Sequence, residues 1–161
     1  MSGKRDTSWV ADILVTQLKS DLTAKLTGMV ISYGDSVDLE AIPTDNYFVS
    51  ERRKVPGYPF VAVIPEDADF RPDTGEARYN FGYHTLTVAI ARTANADEDV
   101  LKRQVSRTVR AVEEVILEHV TLSGSVDECR LLNHQFGPMM AGPNSMLQEA
   151  QVMVRVLTSE T

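Results

Sequence analysis

Residues 79–91 read Tyr-Asn-Phe-Gly-Tyr-His-Thr-Leu-Thr-Val-Ala-Ile-Ala, and they constrain the fold more than any other stretch. In the second half Leu86, Val88 and Ile90 point one way, while Thr85, Thr87, Ala89 and Ala91 point the other. A period of two is the mark of a strand with one buried face. Its β-branched and aromatic residues suit a pleated, half-covered surface. The other elements are then expected to pair beside this strand or to pack on it.

Two stretches supply the packing layer. Val10, Leu14, Leu18, Leu22 and Leu26 recur every four residues, with Lys19, Asp21 and Lys25 turned away. This predicts an amphipathic helix capped by Thr7 or Ser8 and stopped by Gly28, with a short strand over residues 29–33. Leu101, Val105, Val109, Val112 and Ile116 make a second stripe, widened by Val115. That helix is expected over residues 97–119, with Asp97 as its N-cap. Asp97, Glu98 and Asp99 match the positive end of its dipole, and His119 the negative end. Lys102, Arg103, Arg107, Arg110, Glu113 and Glu114 are assigned to its solvent side.

Strands are expected at residues 58–65, fenced by Pro59 and Pro65, and in two closing segments. In the first of these, Leu132, His134 and Phe136 alternate with Cys129, Leu131 and Asn133. In the second, Ala150, Val152, Val154 and Val156 face the core. A Gly/Pro/Met loop is expected over residues 137–145. Pro43 and Asp45-Asn46 point to loop in residues 36–50, with Tyr47-Phe48-Val49 as a brief strand. Residues 66–78 outlast an ordinary hairpin loop of about 2–5 residues. They form either an extended hairpin arm or a surface loop. The order of elements defines an α+β fold: one mostly antiparallel sheet with two amphipathic helices packed on it, plus an extended β-hairpin arm. Residues 1–161 read as a single domain, with residues 1–7 a flexible arm.

Composition narrows the function classes. Apolar residues make up 43% and charged residues 24%, as in globular domains. A net charge of -7 favours solubility and opposes a broad phosphate-binding face. A lone cysteine, Cys129, forbids an intrachain disulfide. Polar residues interrupt every apolar stretch before it reaches membrane-span length, so no membrane association is expected. The chain is expected to fold in a reducing cytoplasm.

Chemical motifs are sparse. Neither phosphate-binding glycine pattern occurs. One cysteine and three histidines make no familiar zinc set. His84, His134 and Glu149 could converge on a metal across a sheet, but sheet-surface polar residues are the simpler assignment. Cys129 and His134, as nucleophile and base, fall on opposite faces of a regular strand unless a bulge intervenes. Cys129 therefore reads as a core residue. Glu66, Asp67, Asp69, Asp73 and Glu76 are acidic but lack EF-hand spacing. No catalytic residue, metal ligand or cofactor is expected. Contact with a partner is. Met139 and Met140 offer soft, adaptable side chains, and Phe70 stands as an anchor among charges. Arg71, Asp73, Glu76, Arg103 and Arg107 complete the expected interface.

The order of elements resembles the tail terminator, or tail completion, proteins of long-tailed bacteriophages. The helix of residues 8–26, the proline-fenced strand 58–65, the long arm and the strand 79–91 carry the likeness. The helix 97–119 and two closing strands split by residues 137–145 complete it. The resemblance implies a homo-oligomeric, hexameric ring that caps the tail tube and joins it to the head or neck. It implies a tail tube protein and a head connector or stopper protein as partners, with DNA passing through the lumen without specific binding. The expected location is the virion tail or neck, assembled in the host cytoplasm. Another ring-forming neck or tube component is the nearest alternative, and a small ligand-binding α+β domain using His84 and His134 the most distant.

Overall fold

A computed structural model describes residues 6–50, 57–73, 76–94, 97–142 and 145–160, with the side chains of residues 70–81 and 160 left aside. Helix α1 spans Thr7–Tyr33 and helix α2 Glu98–Glu118. Strands β1 (Tyr47–Val49), β2 (Phe60–Asp73), β3 (Glu76–Ala94), β4 (Glu128–Ala141) and β5 (Met146–Glu160) form one sheet in the order β1-β2-β3-β5-β4. Only the β1–β2 pair is parallel. This is the expected α+β sheet with two helices, and β3 lies at its centre.

Both helices cover one face. Leu86, Val88 and Ile90 of β3 are completely buried beneath them, as are Val61, Val63, Val152, Val154 and Val156. The stripe of α1, from Val10 to Leu26, and that of α2, from Leu101 to Ile116, close the same core. The helices run antiparallel. Ser123, just past α2, donates to Gln17 at 2.8 Å, Lys25 pairs with Glu118, and Arg107 meets Asp35 beyond the other end of α1. Among the described residues the opposite face has no helix. Phe48, Phe60, Ala62 and Ala91 form a smaller apolar cluster there, with the two phenylalanine rings stacked at 5.5 Å.

The ends of α1 differ from expectation. Asp6, ahead of Thr7 and Ser8, is the N-cap and accepts from the Trp9 amide at 2.8 Å. The helix also runs through Gly28 and ends at Gly34, whose φ of 63° suits glycine and whose amide donates to the Val30 carbonyl. No strand forms over residues 29–33. A mid-helix glycine costs about 1 kcal/mol. Burial of Met29, which extends the leucine stripe by one step, offsets that cost. Residues 1–5 of the expected flexible arm lie outside the described residues.

Residues 66–78 resolve as hairpin. β2 runs to Asp73 and β3 starts at Glu76, with residues 74–75 outside the described residues. A bulge follows Pro65: Pro65 opposes Leu86 and Asp67 opposes Thr85, so Glu66 is the extra residue. Its carboxylate accepts from the Thr87 hydroxyl at 2.9 Å.

β4 is also longer than expected and carries two bulges, between Leu131 and Asn133 and between Phe136 and Met139. Residues 137–141, expected in a loop, continue the strand, because the second bulge accommodates Gly137 and Pro138 opposite Glu149 alone. A Cβ on Gly137 would sit 3.0 Å from the Glu149 carbonyl oxygen, so the close approach needs glycine.

Arg107 was assigned to solvent, yet it is 8% exposed. Its guanidinium makes two bonds to Asp35, at 2.9 and 2.6 Å, and lies 3.8 Å over the Tyr33 ring. The turn after α1 brings both partners onto α2, which the spacing of α2 alone does not reveal. The Arg107 guanidinium pulls the Asp35 carboxyl from 3.8 to about 2. A depressed carboxylate stabilises the fold fully above its unfolded value and less as pH falls towards its folded one. Asp35→Asn is therefore expected to flatten the loss of stability between about pH 4 and pH 2, as read from urea midpoints across that window.

Candidate functional site

Among the described residues no three His, Cys, Asp or Glu side chains are gathered to hold one metal ion. His84 is completely buried, not at the sheet surface. Its Nδ1 lies 2.9 Å from the Thr7 hydroxyl and its Nε2 3.1 Å from that of Thr158. It thereby ties the start of α1 to β3 and β5. His134 is exposed and sits 3.1 Å from a Glu113 carboxylate oxygen. His84 opposes Val156 and His134 opposes Val152, so they stand two strands and about 13 Å of strand apart. The structure does not bring them together.

The first β4 bulge corrects the assignment of faces. Cys129 opposes Val156 and Leu131 opposes Val154. Past the extra residue Leu132, His134 opposes Val152 and Phe136 opposes Ala150. Cys129 and His134 thus share the helix-side face, where a regular strand would separate them. They remain about 13 Å apart along the sheet, four positions of β5. Cys129 is buried as expected, and burial raises its thiol to about 12, which leaves it protonated and unreactive.

The expected contact residues fall into three places. Phe70, Arg71 and Asp73 lie at the far end of β2 and Glu76 starts β3; Phe70 opposes Gly82 and Asp73 opposes Glu76. Their side chains lie outside the described residues. Arg103 is exposed on α2, beside a depression of about 340 Å³ lined with Tyr33, Lys102 and Ser106, and Arg107 forms its wall. Met139 opposes Gln148 and packs on the main core, while Met140 opposes Leu147 and is 49% exposed. The places beside Arg103 and Met139 adjoin, since Asp99 and Lys102 line both.

What periodicity alone did not predict is the state of the sheet edges. β1 covers β2 only from Val61 to Val63, so Ile64 to Asp73 has no strand on that side among the described residues. At the other edge β4 pairs with β5 and, among the described residues, with no further strand. Leu132, Phe136 and Met140 of β4 are 44%, 46% and 49% exposed. The open part of β2 carries Glu66, Asp67, Asp69, Arg71 and Asp73, whereas β4 carries Glu128, Arg130 and His134, with Arg130 paired to Glu128 at 3.0 Å. Among the described residues no helix is long and apolar enough to cross a membrane.

No protein-family model matches the chain. No curated protein matches its sequence. Among solved structures, a chain from the virion of a native gene transfer agent particle is 12% identical, with a TM-score of 0.33. The match covers 89% of this chain and 95% of that one. A second solved chain, whose name states no function, is also 12% identical at a TM-score of 0.33, covering 88% of this chain and 94% of its own. Likeness at this level carries no weight for function.

Proposed function

We propose that this chain is a structural virion protein that assembles by edge-to-edge contact into a ring, capping a phage tail tube and joining it to the head or neck. The observation that carries the proposal is the pair of open edges, one on each side of a single sheet. Long open edges are liabilities in a monomer and templates for strand addition. A β2 edge rich in carboxylates and a β4 edge with Leu132, Phe136 and Met140 exposed are unlike surfaces, so contact between them is heterologous. Repeated by rotation, such a contact closes into a ring.

The tail terminator assignment rests on the resemblance in element order, and six subunits follow from it. The tube protein would meet one rim and the head connector or stopper the other. With a net charge of -7, the ring would hold passing DNA weakly. The mechanism is geometric: a closed ring occupies the growing tube end and leaves no site for the next tube subunit.

Negative-stain microscopy and light scattering of the concentrated protein, alone and with purified tail tubes, test this. Uniform rings, or single rings seated at tube ends, are expected. A monomer that leaves tube ends bare and growing would overturn the proposal. Density repeated along the tube would replace capping with a tube-subunit role.

A further inference from the structure

In an antiparallel pair, successive residues turn their N–H and C=O groups alternately toward the partner strand and away from it. Two edge contacts fix the phase of that alternation here. The Val63 carbonyl points out of β2 and accepts from the Ser50 amide at 2.8 Å. The Cys129 amide points out of β4 and donates to the Val120 carbonyl at 2.6 Å. Val63 opposes Val88 and Cys129 opposes Val156, so the even-numbered residues of β3 and β5 bond to each other and turn away from β2 and β4. Carried along the register, the same phase directs outward the backbone groups of Ala68 and Phe70, opposite His84 and Gly82. On β4 it directs outward those of His134 and Phe136, opposite Val152 and Ala150. Pro65 and Pro72 fall at outward positions as well. A missing N–H costs the sheet nothing there. Both runs are bounded, Ala68 and Phe70 by those prolines, His134 and Phe136 by the two β4 bulges.

We infer that β2 of one copy pairs antiparallel with β4 of a second copy, Ala68 against Phe136 and Phe70 against His134, with Asp69 opposite Gln135. Such pairing presupposes the ring contact proposed above and gives it a register. β2 is antiparallel to β3, β3 to β5 and β5 to β4, so β2 and β4 run in opposite senses within one chain. A neighbour reached by rotation about an axis along the strands keeps that sense, which makes the contact antiparallel. The two runs then exchange about four backbone hydrogen bonds, two for each facing pair of outward residues. Ala68 and Phe136 both stand on the helix side, so the helix-covered faces of the two sheets coincide. Phe136 is exposed in the single chain, and the small, half-buried Ala68 leaves its ring room to lie across the joint. Glu128 is the one acidic residue of β4 and lies outside the run, so Asp69 meets no like charge on the facing strand. A slip toward the start of β4 would set Asp69 against Arg130. There the outward Cys129 amide is already taken, and Arg130 is paired with Glu128. A slip of two residues toward its end would set Ala68 at the second bulge, where the outward ladder is broken.

Oxidative crosslinking of the full chain carrying Asp69→Cys and Gln135→Cys tests this register. Within one chain the two positions lie three strand spacings apart. That is about 14 Å, beyond the reach of a disulfide. Cys129 is buried, and the chain with neither substitution serves as the blank. Chains linked in series up to the full ring are expected on a non-reducing gel, and the slipped pair Asp69→Cys/Arg130→Cys should give no such series. Ala68→Pro removes one outward N–H and no bond to β3. Light scattering should therefore show the loss of rings, with a thermal midpoint within a few degrees of wild type. If Ala68→Pro fails to fold, the crosslink alone decides. Rings of the cysteine variant that lack the link, or undiminished rings in a folded Ala68→Pro variant, would overturn the register and leave the ring reading standing. A wild-type chain that stays monomeric alone and on tail tubes would overturn both.

Discussion

Arg92→Ala is expected to lower the unfolding free energy by about 3 kcal/mol, more than any other single polar replacement considered for this chain. Arg92 follows Leu86, Val88 and Ile90 on the helix-facing side of β3 and is 3% exposed. Its Nε donates to the Thr108 hydroxyl at 2.7 Å, which donates in turn to the Gln104 carbonyl at 2.7 Å. Its Nη2 donates to the Glu40 carbonyl at 2.8 Å. The guanidinium therefore ties the loop after α1 to α2 across the end of the sheet. Burial lowers its pKa to about 10, so it stays charged at neutral pH, and Glu40 and Asp38 support that charge. Alanine leaves a carbonyl unmatched and opens a cavity. Arg92→Met fills most of the space without burying a charge, so it should cost less than alanine. Arg92→Lys keeps the charge but loses the planar fork and should fall between wild type and alanine. Urea unfolding of the three variants checks the order. An alanine variant within about 0.5 kcal/mol of wild type would show that Arg92 does not hold the loop.

How much of this was legible in the chain follows the range of the forces involved. The leucine stripe of α1, the valine stripe of α2 and the alternation of β3 are local patterns with one apolar face each, and all three appear where periodicity places them. Tyr47-Phe48-Val49 is also the short strand expected of it, parallel to β2. The errors arise where a distant partner decides. Gly28 looks like a stop, but the core beneath Met29 keeps the helix going to Gly34. Arg107 looks solvated, because Tyr33 and Asp35 reach it from the end of α1 and the turn beyond it. His84 looks like a surface residue, because the threonines that surround it are 77 and 74 positions away. The first bulge in β4 moves the side chains after it to the other face and the second moves them back, and alternation alone carries no sign of either except Gly137-Pro138. The candidate assembly surface was partly legible: the hairpin and Met140 were singled out. The open length of β4 was not, because an edge is a property of the finished sheet and not of any one strand.

Deletion of residues 69–76 is expected to abolish ring formation and leave the fold intact. His84, which ties β3 to the start of α1, and the core residues Val61, Val63, Leu86, Val88 and Ile90 all lie outside the deleted stretch. Joining Ala68 to Ala77 leaves the Ala68–His84 register position as the last one in the shortened β2–β3 pair, closed by residues 77–83. Such a closure costs little, since loop entropy grows only slowly with length. β3 also keeps β5 beside it at Phe81, Gly82 and Tyr83, where Tyr83 lies under the Arg155 guanidinium at 5.7 Å. Circular dichroism should therefore match wild type, and the thermal midpoint should stay within a few degrees. The assembly effect is much larger. The open edge of β2 shrinks from Ile64–Asp73 to the five positions ending at Ala68, and Asp69 is lost from the acidic run. In a closed ring the same loss recurs at every interface, so a modest weakening of one contact is multiplied around the circle. Light scattering should then give a monomer, and tube ends should stay bare in negative stain. A deletion variant that still caps tubes would remove the hairpin from the mechanism and leave β4 to pair elsewhere. One that unfolds would make the hairpin part of the folding core.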